Sequence, residues 1–169
     1  VHFIPNGIDK FWFNDIGKPI ESVGDYVLTV GRLDQTKGQL GTAKACKKLG
    51  LRYVNVGERT SKVYSSLCEK EGAILFEPMT HDKLIKVYDC ARLYVLASRA
   101  EVFPLTVMEA GARALNIVVT DHCEWKDIPN VEWCEFENVE SIEKAITAAL
   151  KKPPNYELQN KLKDMTWDN

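Results

Sequence analysis

The chain has 169 residues, 45% hydrophobic and 27% charged, which suits one domain with its own core. Its 22 basic and 24 acidic residues leave a formal net charge of -2, without the basic footprint of a nucleic-acid binder. No apolar run approaches the roughly 18 residues of a transmembrane helix, and no secretory signal is read.

Residues 1–25 contain "IPNGIDKFWFND", with an Asn-Gly turn and no clean periodicity. They read as a lead-in, with Phe11, Trp12 and Phe13 packing on the sheet or on a missing neighbour. "YVLTVG" (26–31) is a near-continuous apolar run, as expected of a strand buried on both faces. The helical segment "KGQLGTAKACKKLG" ends at Gly50. "LRYVNVG" (51–57) is the second strand, "KVYSSLCEKEG" (62–72) a helix and "AILF" (73–76) the third strand. "HDKLIKVYDCA" (81–91) is a helix with Thr80 as its N-cap. "LYVLA" (93–97) is strand four, followed by the helix "LTVMEAGARA" (105–114) behind Pro104. "NIVVT" (116–120) and "EWCEF" (132–136) are strands five and six. "SIEKAITAALKK" (141–152) is a helix stopped by Pro153 and Pro154.

Strands alternating with helices predict an α/β domain over 26–169. It is a Rossmann-like, doubly wound parallel sheet of about six strands with helices on both faces. Cys46, Cys68, Cys90, Cys123 and Cys134 are odd in number and widely spaced, without C-x-x-C. They predict reduced, mostly buried thiols in a cytoplasmic protein. His2 and His81 read as structural or surface residues.

In open α/β sheets ligands bind beyond the carboxyl ends of the strands, where the strand order reverses. With the order 3-2-1-4-5-6, that crevice lies between strands one and four. Strand one ends in "GRLDQTKG" (31–38) and strand four in "SRAEVFPLTVMEA" (98–110). Arg32 and Lys37 on one loop suit a diphosphate, since a guanidinium can fork onto two oxygens. A solvated charged loop is the plainer reading of the same segment. Neither a P-loop nor G-x-G-x-x-G is present. Pro104 is placed for the first turn of a helix whose N-terminus attracts anions. Glu101 and Glu109, eight positions apart, repel phosphate and suit uncharged sugar and ribose hydroxyls. His122, Cys123 and Glu124 are consecutive and cannot readily converge on one ion.

Together these segments resemble the C-terminal, donor-binding half of the GT-B fold in retaining glycosyltransferases of family four, the glycosyl transferases of group 1. "IPNGID" (4–9) is similar to the segment entering that domain, and "VGRLDQTKG" (30–38) to its phosphate-binding stretch. "LIKVYDCARLYVLASRAE" (84–101) resembles the helix and strand before the family's Glu-x7-Glu motif. "EVFPLTVMEA" (101–110) is similar to the motif itself, and "DMTWDN" (164–169) resembles the start of the closing helix.

The resemblance implies that Arg32 and Lys37 bind the donor diphosphate, Glu109 the nucleotide ribose and Glu101 the donor sugar. It implies that Phe103, Leu105 and Thr106 contribute backbone or hydroxyl contacts. Arg32, Lys37 and Glu101 are then the catalytic set, and the nucleoside-diphosphate sugar is substrate, with no cofactor. D-x-D is absent, so no metal is expected. Three departures stand out. Val102 replaces a usual glycine. Arg113 to Asn116 replace a Cys-Gly-x-Pro-type stretch. "DHCEWKD" (121–127) stands where a Gly-Gly pair is usual. The expected function is retaining hexosyl transfer, as a mannosyl- or glucosyltransferase of polysaccharide or glycoconjugate synthesis. The implied partners are the nucleotide-sugar donor and a missing N-terminal domain, the neighbour of the lead-in, through which any membrane association would run. A non-catalytic nucleotide-sugar-binding module and a sugar-nucleotide epimerase of the same architecture remain open at this level.

Overall fold

A computed structural model describes residues 7–14 and 25–167. Among them lie six strands in one parallel sheet: β1 (Tyr26–Val30), β2 (Arg52–Val56), β3 (Ala73–Phe76), β4 (Leu93–Leu96), β5 (Ile117–Thr120) and β6 (Glu132–Cys134). Their order is β3-β2-β1-β4-β5-β6, the one expected from sequence. The helices are α1 (Gln39–Leu49), α2 (Lys62–Lys70), α3 (His81–Cys90), α4 (Leu105–Ala112), α5 (Val139–Ala149) and α6 (Tyr156–Lys163). A short 3-10 helix, Lys10–Phe13, precedes the sheet.

The side-chain period of two in each strand builds two cores. Leu28, Val54, Val56, Tyr94, Leu96, Ile117 and Val119 face α3, α4, α6 and Trp12. Val27, Tyr53, Leu93, Val95 and Val118 face α1, α2 and α5. β1 and β4 are buried on both faces, which explains their unbroken apolar runs. Because every strand is parallel, their carboxyl ends share one side of the sheet. The switch in order between β1 and β4 opens a crevice there.

The strands and most helices form where the sequence places them, with ends shifted by up to three residues. α5 starts at Val139, capped by the Asn138 side chain on the Ser141 N–H, and ends before the prolines. Thr80 occupies the cap position of α3 but makes no capping hydrogen bond. The closing helix is displaced. α6 runs over Tyr156–Lys163, capped by Asn155, and residues 164–167 form turns with a bridge from Thr166 to Ile8. Residues 168–169, and 1–6 of the lead-in with His2, lie outside the described residues. All five cysteines are free thiols; Cys46, Cys68, Cys123 and Cys134 are buried and Cys90 is partly so.

β3 is the outer strand on its side of the sheet, with Ile74 and Phe76 exposed. Arg59, from the β2–α2 loop, donates to the Leu75 carbonyl at 3.0 Å and pairs with Glu69 and Glu77.

α4 and α6 approach closely at Gly111. A Cβ there would lie 2.6–2.8 Å from atoms of Leu158 and Leu162, both fully buried. The Gly111→Ala variant would gain about 1 kcal/mol of helix propensity. Overpacking a filled core costs about 1–3 kcal/mol, so net destabilisation of up to about 2 kcal/mol is expected. Urea unfolding should show a lower midpoint at unchanged slope.

Candidate functional site

The loop after β1 is built around two close approaches. Leu33 is fully buried, and its N–H donates to Glu58 O at 2.8 Å. Gln39 Nε2 donates to Arg32 O at 2.6 Å. Asp34 caps a 3-10 turn over Gln35–Lys37 through the Thr36 N–H at 2.9 Å and also meets the Thr36 hydroxyl. Gly38 then adopts φ 70°, where a Cβ would lie 1.9 Å from Ala97 O. Only glycine meets both demands. Arg99 N–H completes the seat by donating to Thr36 O at 2.7 Å. The loop after β1 therefore rests on the carboxyl end of β4.

That seat brings two of the sequence-derived site residues into contact. Lys37 Nζ lies 2.8 Å from Glu101 Oε1, with side chains 27% and 12% exposed. Glu101 is also held through its backbone. Its N–H donates to His122 O at 3.2 Å, and its carbonyl accepts from Glu124 N–H at 2.8 Å. The 121–127 segment is thus the brace of the Glu101 loop, through the bridge between Glu101 and Cys123. His122 is exposed, with Nδ1 2.9 Å from Arg99 O, whereas Cys123 is buried.

α4 supplies the second half of the site. Pro104 is its N-cap, one position before the first helical turn anticipated for it. The helix start leaves N–H groups without intrahelical acceptors at the crevice. Thr106 Oγ1 lies 2.7 Å from the Tyr94 hydroxyl, which is also 3.4 Å from Val30 O at the end of β1. The Tyr88 hydroxyl donates to Glu109 Oε2 at 2.7 Å. Val102 and Leu105 are exposed beside the helix start. Phe103 is buried and stacks on Trp125 at 4.3 Å, so its ring belongs to the core and its backbone alone borders the crevice.

The site residues thus fall into two groups, Lys37 with Glu101 and Thr106 with Glu109. Arg32 shares the first loop but its side chain is 64% exposed, 3.8 Å from Asp34 and in contact with none of the others. Sequence reasoning passed over Tyr88 and Tyr94. Both are fully buried, and a buried tyrosine hydroxyl needs a partner. That rule was the available signal.

Burial pushes the Glu109 carboxyl up from 4.5 to about 7, while the Tyr88 hydrogen bond acts in the opposite direction. A folded-state value above the unfolded one means that the native state binds the extra proton. Its stabilisation is full below about 4.5 and is lost as pH rises through 7. Glu109→Gln removes this dependence. The wild-type protein should lose up to about 3 kcal/mol relative to the variant between pH 4.5 and pH 8, read as the difference in urea midpoints.

Solved structures share the fold. AviGT4, a glycosyltransferase involved in avilamycin A biosynthesis, superposes with a TM-score of 0.76 at 17% identity, over 96% of this chain and 52% of that one. Sucrose-phosphate synthase from Thermosynechococcus elongatus gives 0.79 at 15% identity, over 98% and 48%. WaaG, a glycosyltransferase involved in lipopolysaccharide biosynthesis, gives 0.74 at 15% identity, over 95% and 50%. The chain therefore spans about half the length of each. No curated protein sequence matches it. The family model described as glycosyl transferases group 1 matches residues 12–166, nearly the whole sequence, and the chain belongs to that family.

Proposed function

We propose that the crevice between β1 and β4 binds a nucleoside-diphosphate sugar, and that the protein transfers the sugar to an acceptor with retention of configuration. The observation that carries this reading is the 2.8 Å contact of Lys37 with Glu101 across the switch point, beside the N-terminus of α4. A cation and a helix start suit the diphosphate, and the adjoining carboxylate suits hydroxyls of the attached sugar. In this reading Arg32 swings onto the diphosphate from its exposed position, and Glu109 accepts from the ribose hydroxyls. The Phe103 and Leu105 backbones border the sugar, and the Thr106 hydroxyl, steadied by Tyr94, borders the phosphates.

The chemistry is leaving-group stabilisation. As the sugar–phosphate bond breaks, charge develops on the nucleoside diphosphate; in this reading Lys37 and the α4 N–H groups meet it without rearrangement, and Arg32 joins them once it has swung onto the diphosphate. These groups supply positive charge without a metal ion, and the reading is accordingly of a metal-independent hexosyltransferase. An N-terminal domain would carry the acceptor site and close the crevice. The setting is cytoplasmic, with any membrane contact made through that domain.

Calorimetry of the intact protein with nucleoside diphosphates and with UDP-, GDP- and ADP-sugars tests the assignment. Lys37→Ala or Arg32→Ala should weaken nucleoside-diphosphate binding about 10- to 100-fold, the worth of a charge-assisted hydrogen bond. Glu101→Gln keeps an oxygen for Lys37. It should therefore change that binding less than about threefold, yet weaken the intact donor about tenfold or slow transfer. Equal loss of diphosphate affinity in Glu101→Gln and Lys37→Ala would remove the sugar role of Glu101. Donor binding without transfer would indicate a non-catalytic module.

A further inference from the structure

The aromatic cluster behind the crevice links Glu109 to the lead-in segment. Trp12, in the 3-10 helix Lys10–Phe13, is 4% exposed. Its ring lies 5.8 Å from that of Tyr88, edge-on at 86°, and 5.4 Å from His81. The segment is fastened by Arg113 at the end of α4. Arg113 Nη1 donates to Trp12 O at 2.9 Å and to Asn14 O at 2.8 Å. Nε and Nη2 fork onto Asp89 at 2.6 and 2.8 Å, with both side chains only 12–13% exposed. Asp89 follows Tyr88 on α3, and Arg113, the C-cap of α4, lies four residues after Glu109. A single clamp thus joins the lead-in segment to the two helices that carry the Tyr88–Glu109 hydrogen bond.

We propose that Tyr88 is the positioning residue for the Glu109 carboxylate, and that Trp12, fastened by Arg113 and Asp89, holds the Tyr88 hydroxyl on it. This rests on the reading of Glu109 as the ribose acceptor. A carboxylate that accepts from ribose hydroxyls must be ionised and aimed. Among the described residues, the titratable groups facing Glu109 are Tyr88 from α3 and Tyr94 from β4, and neither carries positive charge. Arg113, the C-cap of α4, is committed to Asp89 and to two carbonyls. The Tyr88 hydrogen bond is therefore what favours the ionised form in a largely buried site, and its geometry depends on the ring that Trp12 braces. By this route the segment leading into the domain conditions ribose recognition without touching the ligand.

The intact protein carrying 13C-carboxyl-labelled glutamate tests this without nucleotide, the Glu109 resonance being assigned as the one missing from Glu109→Gln. Tyr88→Phe keeps the ring beside Trp12 and removes the donor. Its Glu109 titration midpoint should rise by about one unit or more. Arg113→Lys keeps the charge but loses the fork. It should move the midpoint the same way by a smaller amount. An unmoved midpoint in folded Tyr88→Phe overturns the positioning role, and an unmoved one in Arg113→Lys overturns the link to the lead-in segment. With UDP, GDP or ADP, Tyr88→Phe should bind about tenfold more weakly at pH 7 and recover toward pH 9. Equal weakening at every pH would indicate a merely structural tyrosine and overturn the proposal. If the wild-type protein binds none of the three nucleotides, the donor reading fails, while the carboxyl titration still decides the role of Tyr88.

Discussion

The crevice depends on one steric fact, the absence of a side chain at Gly38. The peptide at Ala97 occupies the volume that a Cβ would need, and the left-handed backbone turns the chain from the loop after β1 into α1 at that point. The loop after β1 can therefore lie directly on the end of β4. Without that seat Lys37 and Glu101, 64 positions apart in sequence, would have no reason to meet. The strand order supplies the opening, and the glycine sets its width on the side where charge is concentrated.

The charged pair in that opening contributes little to stability, and under the proposed function its part is recognition. Ion pairs with solvent access contribute about 0–1 kcal/mol, since hydration is lost as attraction is gained. Each partner restrains the other, so on the proposed reading a ligand presenting phosphate and hydroxyl together would meet a preorganised pair. The layer beneath is apolar by contrast. Tyr88 and Tyr94 turn their hydroxyls to Glu109 and Thr106 and bury their rings against the sheet, Trp12 and α4. Glu109 sits at the boundary of the two layers, which is why its carboxyl is so much less acidic than an exposed one.

The β/α alternation was legible because burial on both faces leaves unbroken apolar strands, while the helices between them carry clear caps or glycine stops. The crevice followed from strand order alone, and Pro104 marked the start of α4 at Leu105. α6 was missed for a physical reason. Its buried stripe is just Leu158 and Leu162, its other positions are polar, and the preceding prolines draw attention to a break instead of to Asn155 as a cap. The contribution of the 121–127 segment was hidden for a different reason. Its brace on Glu101 is made by backbone atoms, which any sequence possesses, so side-chain chemistry carries no trace of it. Tyr88 and Asp89 lay in a helix read for its extent, its Thr80 cap and its place before the Glu-x7-Glu stretch, and their partners come from α4 and the lead-in, far away in sequence.

The outer strand β3 has a consequence for the molecule's behaviour in company. The Phe76 carbonyl is taken by Gly57 at the end of β2, and carbonyls alternate in direction along a strand, so that of Leu75 faces outward. An open edge flanked by Ile74 and Phe76 is a template onto which a foreign strand can zip. Arg59 sits on that outward carbonyl and holds Glu69 and Glu77 around itself. An incoming backbone would have to evict a guanidinium and strand two carboxylates. The device is the familiar guard against edge-to-edge polymerisation, placed here two strands away from β1 and the crevice, so the guard and the crevice can vary independently in this domain.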